Sequence, residues 1–185
     1  MTASRGERLG TREIFRGRTF RLDVDRVRLP NGREMDFEMI HHPGAAAVLP
    51  LLPSGEVLLV RQYRYATGGY LLELPAGKLD PGEGPEACAR RELEEETGYR
   101  PGELVPLGWI WTTPGFTDEK IWLYLATGLE ATRQELQDDE VLTLERMPLE
   151  QAVAKAVAGE IHDCKTACAL LRAGSRGLSA SPSAP

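Results

Sequence analysis

The 185-residue sequence lacks several features that mark common protein classes. Its three cysteines (Cys88, Cys164 and Cys168) are too few for a disulfide scaffold and favour a reducing compartment. No apolar run reaches the roughly 20 residues that span a bilayer, and residues 1–10 are polar, unlike a secretion signal. With 22 basic and 28 acidic residues, the charge of −6 disfavours binding to a nucleic-acid backbone. We therefore expect a cytoplasmic protein without membrane or nucleic-acid partners.

The apolar pattern predicts a single main domain with many strands and few helices. Residues 1–11 are polar and are predicted to be frayed, and the strand-like stretch 13–29 is predicted to bury the apolar face of Phe20, Leu22 and Val24. Asn31-Gly32 predicts a turn into a return strand, so this end forms a hairpin. Further predicted elements follow: strands at 45–52 and 56–62 forming a hairpin of the core sheet, strands at 71–74, 104–111, 120–127 and 141–147, and helices at 149–158 and 163–173.

Residues 77–99 predict a glycine-rich loop followed by a short helix that begins at Pro85 and ends at Gly98. Glu92, Glu95 and Glu96 have i, i+3 and i+4 spacing and so share one face of that helix. Like charges at this spacing destabilise an isolated helix, so a compensating charge is needed. Divalent cations such as Mg²⁺ or Mn²⁺ suit carboxylate oxygens, although a solvated acidic face is the simpler interpretation of a glutamate run.

The same stretch resembles the Nudix box, a loop–helix–loop motif with the pattern G-x5-E-x7-R-E-U-x-E-E-x-G-U, in which U is apolar. Eight positions match without a gap: Gly77, Glu83, Arg91, Glu92, Leu93, Glu95, Glu96 and Gly98. So many fixed positions at fixed spacing make a more specific signal than a lone glycine motif.

The resemblance implies an α/β (α+β) fold, the Nudix α/β/α sandwich with a mixed sheet, here with a small N-terminal antiparallel β-hairpin subdomain. We expect this subdomain at residues 1–43, the catalytic domain at 44–173 and a disordered tail at 174–185. The implied chemistry is attack of water on a diphosphate, assisted by two or three Mg²⁺ ions per site, with Mn²⁺ as an alternative.

The expected metal ligands are Glu92, Glu95, Glu96 and, by resemblance, the backbone carbonyl of Ala76. Arg91 is expected to hold a carboxylate in place, and Glu83 either pairs with Arg91 or joins the outer metal shell. A plain surface pair between Arg91 and Glu95 is the alternative.

A second segment, Thr113-Pro114-Gly115-Phe116-Thr117-Asp118-Glu119, is similar to a loop of the ADP-ribose pyrophosphatases within the Nudix superfamily. In that subfamily the loop lines the side of the terminal ribose, so Gly115 and Glu119 become candidate substrate or metal contacts. An ordinary Pro-Gly turn between two strands is the alternative.

Two more segments resemble the same subfamily. Val60-Arg61-Gln62-Tyr63-Arg64 looks like its V-R-Q-x-R strand end, which makes Arg64 the candidate for gripping the diphosphate. Phe15-Arg16-Gly17 resembles a segment that crosses a domain-swapped homodimer to cover the adenosine, so Arg18 and Thr19 are candidate contacts in the partner's site. An exposed edge hairpin is the alternative for these two residues.

Gln137-Asp138-Asp139-Glu140-Val141 resembles an acidic stretch that the same subfamily has before its last strand, and the resemblance implies a catalytic carboxylate there, outside the box. Glu140 is the first candidate for the general base and Asp139 the second, and a solvated acidic loop is the alternative. His41 and His42 precede Pro43-Gly44, and we interpret this pair as exposed loop rather than as metal ligands or a pH switch.

Together these motifs predict Mg²⁺-dependent hydrolysis of ADP-ribose to AMP and ribose 5-phosphate. Two alternatives remain open. In the first alternative, the substrate is another nucleoside diphosphate compound such as GDP-mannose or NADH. In the second, the chain is a module that binds ADP-ribose without cleaving it.

Overall fold

The computed structural model describes residues 6–137 and 140–177 and separates into two compact units. The first unit comprises Met1–Gly44 and Trp111–Lys120, and the second comprises Ala45–Ile110 and Ile121–Pro185.

The first unit contains a three-stranded antiparallel sheet of β1 (Glu7–Arg16), β2 (Arg21–Arg28) and β3 (Glu34–His41), in that order. The turn at Asn31-Gly32 forms as predicted, with Gly32 at φ 83°. Strand β1 begins at Glu7, so the prediction of a frayed start to residue 11 is wrong for the described part. Its residues are polar and exposed, and pairing with β2 supplies the order that their hydropathy does not indicate.

The buried face of β2 is the polar one, contrary to the prediction. Asp23 and Asp25 are 1% and 6% exposed, whereas Leu22 and Val24 on the opposite face are only partly buried. The alternation of apolar and polar residues therefore predicts the strand correctly but assigns the wrong face of it to the interior.

The remaining elements follow in chain order: β4 (Ala45–Pro50), β5 (Glu56–Arg64), β6 (Gly69–Glu73), β7 (Ala76–Lys78), α1 (Pro85–Thr97), β8 (Tyr99–Arg100), β9 (Glu103–Trp111), β10 (Lys120–Thr127), β11 (Glu130–Ala131), β12 (Leu142–Pro148), α2 (Leu149–Val157) and α3 (Cys164–Ser175). One four-stranded sheet has the order β7-β4-β10-β9, with β4 parallel to β10 and antiparallel to β7. A three-stranded antiparallel sheet has the order β12-β5-β6. The mixed strand directions and few helices confirm the predicted α+β class.

Strands β4 and β5 do not form the predicted hairpin. The chain turns between them, with Gly55 N donating to Leu52 O at 2.9 Å, but only one bridge joins Leu51 to Val57. Strand β4 instead pairs in parallel with β10, from Ala45 opposite Ile121 onward. Local turn chemistry predicts the reversal, but the choice of partner depends on strands distant in sequence.

Strand β4 is buried on both faces, as is common for a strand with a parallel neighbour. Ala46 and Val48 pack in one cluster with Leu93 of α1. Ala47 and Leu49 belong to the opposite cluster, which includes Leu149, Ala152 and Leu170 of α2 and α3. Helices therefore cover both sides of this strand, and α1 is anchored by its apolar side.

Helix α1 has the predicted ends. Pro85 lies in its first turn, and Gly98 adopts φ 70° while its N–H donates to Glu94 O at 2.8 Å. Helix α3 extends two residues past the predicted end at 173, and the last part of the expected tail, residues 178–185, lies outside the described residues. Among the helices described, none has the length and apolar character to cross a membrane.

Candidate functional site

Two carboxylates of α1 are buried where the helix meets β7. Glu92 and Glu96 are 4% and 2% exposed, and Glu95 is partly buried. The backbone N–H of Ala76 donates to Glu96 Oε2 at 3.1 Å, which places the expected backbone ligand beside the acidic face. The structure thus brings together all four predicted metal-binding residues.

Burial and mutual repulsion favour protonation of these carboxyls in the metal-free protein. Burial raises the pKa of Glu92 to about 7, against the opposing effect of Arg91, and Glu95 and Glu140 add to the rise. Burial raises the pKa of Glu96 to about 8, and the charge of Glu92 contributes. A divalent cation would relieve both effects, since it replaces the protons and compensates the clustered charge.

Arg91 binds three carboxylates at once. Its Nε and Nη2 donate to Glu83 at 3.0 and 2.9 Å, and its Nη1 donates to Glu92 at 2.6 Å and to Glu95 at 3.2 Å. These pairs raise the pKa of the guanidinium, chiefly through Glu83. Arg91 therefore orients three carboxylates, which a single i,i+4 surface pair with Glu95 would not do. Of the two predicted roles of Glu83, the structure shows the pairing with Arg91.

Gly77 leaves the space that the Glu92 carboxylate occupies. A Cβ at this position would lie 2.0 Å from Glu92 Oε1 and 2.4 Å from Oε2. The first glycine of the motif is therefore required by the close approach of a carboxylate to the backbone of β7. The carboxylate oxygens of α1, held close to the backbone of β7, fit a hard divalent cation.

Glu140 lies close enough to α1 for its charge to raise the pKa of both Glu92 and Glu96. Its Oε2 accepts from Gln137 N at 2.9 Å, and its own N–H donates to Gln137 O at 3.0 Å. The first candidate base thus lies near the buried carboxylates of α1, while the second candidate, Asp139, lies outside the described residues.

Arg64 is held by a buried glutamate that the sequence analysis missed. Its Nε and Nη2 each donate to Glu73 at 2.8 Å, and Lys165 Nζ donates to the same carboxylate. Burial acts to raise the pKa of Glu73, but the bonds from Arg64 and Lys165 outweigh it and lower the pKa. The charge of Glu96 in turn acts on Arg64, which places this guanidinium near the carboxylate face.

The signal for Glu73 was available in the sequence. It is the single charged residue in the apolar stretch Leu71–Leu74, and charged residues in such strands are buried only when paired. Arg61, three residues before Arg64, pairs instead with Glu145 of β12. The two arginines of β5 therefore have separate acidic partners.

Four predicted substrate contacts belong to the first unit. Glu119 accepts from Thr112 Oγ1 at 2.8 Å, and Gly115 lines a cavity of about 510 Å³ together with Arg12 and neighbouring residues. Arg18 and Thr19 are exposed between β1 and β2. Their position relative to α1 stays a prediction.

The histidine pair is not exposed loop, so that interpretation is wrong. His41 is the last residue of β3, and its side chain is 22% exposed. Its Nδ1 lies 2.6 Å from Asp118 Oδ2, and His42 N donates to Asp118 Oδ1 at 2.8 Å. The partner lies 77 residues away in sequence, which is why the pattern around the histidines did not reveal it.

Comparison with known proteins identifies relatives over most of the chain. It is 41% identical to the ADP-ribose pyrophosphatase of Bacillus subtilis (strain 168) over 160 residues, 85% of this chain and 86% of the relative. It is also 41% identical to the methanol dehydrogenase activator of Bacillus methanolicus over 162 residues, 86% and 88% of the two chains. A GDP-mannose pyrophosphatase of Cronobacter sakazakii (strain ATCC BAA-894) is 38% identical over 145 residues, 73% and 75% of the chains.

A solved structure described as an ADP compounds hydrolase shares the fold, with a TM-score of 0.82, 98% of this chain and 100% of that chain covered, and 22% identity. The sequence matches the NUDIX domain over residues 41–164, which include β7, α1 and Glu140. The chain therefore belongs to the NUDIX family.

Proposed function

We propose that the protein hydrolyses the diphosphate bond of ADP-ribose in a Mg²⁺-dependent reaction and releases AMP and ribose 5-phosphate. The observation that carries the proposal is the buried carboxylate pair of Glu92 and Glu96, clasped by Arg91 beside Ala76. The 41% identity to an ADP-ribose pyrophosphatase supports the choice of substrate.

The NUDIX family depends on divalent metal ions, and the residues of α1 fit them. Glu92, Glu95, Glu96 and the carbonyl of Ala76 would hold two or three Mg²⁺ ions, with Mn²⁺ as an alternative. When bound, such ions neutralise phosphate oxygens and lower the pKa of the attacking water. Arg91 contributes by fixing the orientation of Glu92 and Glu95.

Two residues outside the motif act on the substrate in this proposal. Glu140 accepts the proton of the attacking water, because its carboxylate lies near the face formed by Glu92 and Glu96. Arg64 uses Nε and Nη2 to bind Glu73, and its third nitrogen, Nη1, would bind a phosphate oxygen of the substrate. Glu73 and Lys165 act as positioning residues for this guanidinium.

The first unit contributes to the recognition of the nucleoside and the sugar. Gly115 and Glu119 contact the terminal ribose, which the cavity beside Gly115 would admit. Arg18 and Thr19 contact the adenosine of a partner subunit in a domain-swapped homodimer. Five large apolar side chains of this unit are at least 39% exposed, which supports a covering partner: Leu9, Ile14, Phe15, Phe20 and Met35.

The reaction is tested by incubating the protein with ADP-ribose and Mg²⁺ and measuring AMP by chromatography. We expect AMP and ribose 5-phosphate in equal amounts. The matched control, Glu96→Gln, should lower kcat by at least a hundredfold while circular dichroism stays unchanged, because glutamine fills the buried space of Glu96 but lacks the carboxylate that binds the metal. Absence of AMP from the wild type, or wild-type turnover by the variant, would refute the assignment.

A panel of substrates separates ADP-ribose from its competitors. The relative named GDP-mannose pyrophosphatase favours GDP-mannose as the second candidate, and NADH tests dinucleotides. We expect the highest kcat/KM with ADP-ribose. If calorimetry instead shows tight ADP-ribose binding without turnover in Mg²⁺ or Mn²⁺, the chain is a binding module; the intact set Glu92, Glu95 and Glu96 argues against that result.

The homodimer is tested by deleting residues 1–40. Light scattering should show a loss of dimer, and KM for ADP-ribose should rise because the partner's cover is removed. A point variant, Ile14→Glu, places a charge on an exposed apolar position of β1 and should also weaken the dimer. A truncated enzyme that stays dimeric with unchanged KM contradicts the domain-swapped arrangement.

A further inference from the structure

The first unit contains a second acidic cluster that the proposed reaction does not use. Asp23 and Asp25 lie two residues apart on β2, so both side chains point to the same, buried face of the sheet. His41 follows on β3, opposite Arg21 of β2. Its Nε2 lies 3.4 Å from Asp23 Oδ2 and 3.9 Å from Asp25 Oδ2.

Asp118 orients the ring of His41. Its Oδ2 lies 2.6 Å from His41 Nδ1, while its Oδ1 accepts from His42 N at 2.8 Å. A carboxylate accepts but does not donate, so Nδ1 carries the hydrogen and the lone pair of the neutral ring lies on Nε2. Metal-binding histidines usually donate the hydrogen of their other ring nitrogen to a carboxylate, which fixes the orientation of the ring.

Two buried atoms of the cluster are not satisfied by the described part of the protein. Asp23 Oδ1 and His41 Nε2 are buried and have no hydrogen-bond partner among the described residues. The other carboxylate oxygens have partners: Arg21 Nε binds Asp23 Oδ2 at 2.9 Å, and Thr11 Oγ1 binds Asp25 Oδ1 at 2.6 Å. Arg8 Nη1 lies 4.0 Å from Asp25 Oδ2. Buried polar atoms without a partner are costly, and a cation bound to Asp23 Oδ1 and His41 Nε2 would satisfy both.

We propose that Asp23, Asp25 and His41 bind one divalent cation, separate from the ions of α1, and that Asp118 positions His41 for it. One ligand atom from each of the three residues lies within 4.8 Å of the others, a separation that a small inward movement closes around an ion with bonds of about 2.0–2.2 Å. A donor set of one imidazole and two carboxylates suits Zn²⁺ or Mn²⁺ better than Mg²⁺.

The cation would connect the sheet to the loop that carries the predicted ribose contacts. Ile40 N donates to Phe116 O at 2.8 Å, and Asp118 N donates to Ile40 O at 3.2 Å, so β3 and residues 116–118 are already joined beside the cluster. An ion bound by His41 adds β2 to this connection. The site is thus structural, and its existence does not depend on the proposed hydrolysis.

Zinc binding to the full chain tests the proposal. The triple substitution Glu92→Gln, Glu95→Gln and Glu96→Gln removes the carboxylate ligands of α1, and EDTA followed by exhaustive dialysis removes metal already bound. Calorimetry and native mass spectrometry then follow the addition of Zn²⁺. We expect one equivalent to bind, with at least tenfold weaker affinity after Asp23→Asn or His41→Gln in the same background.

Two further variants keep the test decisive. Asp118→Asn leaves all three ligands in place and should weaken Zn²⁺ binding 10–100-fold, because it removes the carboxylate that orients His41. This variant tests the proposal even if Asp23→Asn does not fold. Asp36→Asn, at an exposed carboxylate of β3, should leave the affinity unchanged. If no equivalent binds, or if one binds equally well to the His41→Gln and Asp118→Asn variants, the proposal is overturned.

Discussion

Glu73→Gln tests how a buried carboxylate positions the proposed phosphate-binding arginine. The Glu73 side chain is 2% exposed and binds both Arg64 and Lys165. Removing one partner of a buried ion pair costs roughly 3–5 kcal/mol, because the remaining charge stays buried. Arg64 is 41% exposed and Lys165 keeps Asp163 at 3.0 Å, so we expect the lower end, about 3 kcal/mol.

This loss is large enough to measure in two ways. For a chain of this length, each kcal/mol shifts Tm by about 2–4 °C, so Tm should fall by roughly 6–12 °C. The free Arg64 guanidinium should also lose its fixed direction, which lowers kcat/KM for ADP-ribose about tenfold or more. Thermal unfolding by circular dichroism and steady-state kinetics with Mg²⁺ measure the two effects.

A second pair on the same strand supplies the matched control. Arg61 and Glu145 are 43% and 33% exposed, and pairs this accessible contribute under about 1 kcal/mol. Glu145→Gln should therefore lower Tm by only a few degrees and leave kcat/KM unchanged. Equal, small losses for both variants would refute the argument from burial, and a destabilised Glu73→Gln enzyme with full activity would refute the positioning role.

The stability difference should also depend on pH with a defined sign. The pKa of Glu73 is lowered from 4.5 in the folded protein, so its ionised pairing stabilises the fold above the unfolded value and is lost as pH falls through the folded one. The free energy of unfolding of the wild type should exceed that of Glu73→Gln by a constant amount from pH 8 to about pH 5, and the difference should shrink below about pH 4.5.

Three further predictions concern the metal-binding face. Gly77→Ala places a Cβ 2.0 Å from Glu92 Oε1, so kcat/KM for ADP-ribose should fall at least tenfold. In the control variant Gly84→Ala the Cβ meets no atom within 4 Å, so kcat/KM should stay within twofold of the wild type. Similar rates for the two variants would contradict the packing argument. Glu140→Gln should lower kcat by about 10²–10⁴-fold, as loss of a general base does, while calorimetry shows Mg²⁺ still bound; wild-type kcat excludes this base. In EDTA, the free energy of unfolding should fall as pH rises from 5 to 8, by up to about 1.4 kcal/mol per pH unit for each carboxyl. The reason is that Glu92 and Glu96 keep their protons in the folded protein but lose them near pH 4.5 in the unfolded chain. Urea titrations measure this slope, saturating Mg²⁺ should abolish it, and a flat profile in EDTA contradicts the pKa shifts.

Some of the candidate site was predictable because it depends on neighbours in sequence. The ends of α1 at Pro85 and Gly98 and the shared face of Glu92, Glu95 and Glu96 follow from helix geometry alone. The family follows from the same stretch, because its fixed spacings encode which backbone and side-chain atoms meet within one loop and one helix.

Other parts required contacts between distant segments. Arg64 was predicted to bind the diphosphate, but its partner Glu73 was not predicted, and Lys165, 92 residues after Glu73, completes the cluster. His41 was assigned to exposed loop because its partner, Asp118, follows 77 residues later. The apolar alternation of β2 indicated a strand but not which of its faces is buried.

The sequence by itself therefore determined the family and the reaction class that it implies, because the fixed positions of the motif, among them the carboxylates at i, i+3 and i+4, lie within one loop and one helix. The tertiary structure decided which side chains support them. It placed Arg91 between three carboxylates, excluded a side chain at Gly77, paired Arg64 with Glu73 and buried Asp23 beside His41. These contacts depend on strand partners and helix packing, which no local pattern of residues specifies.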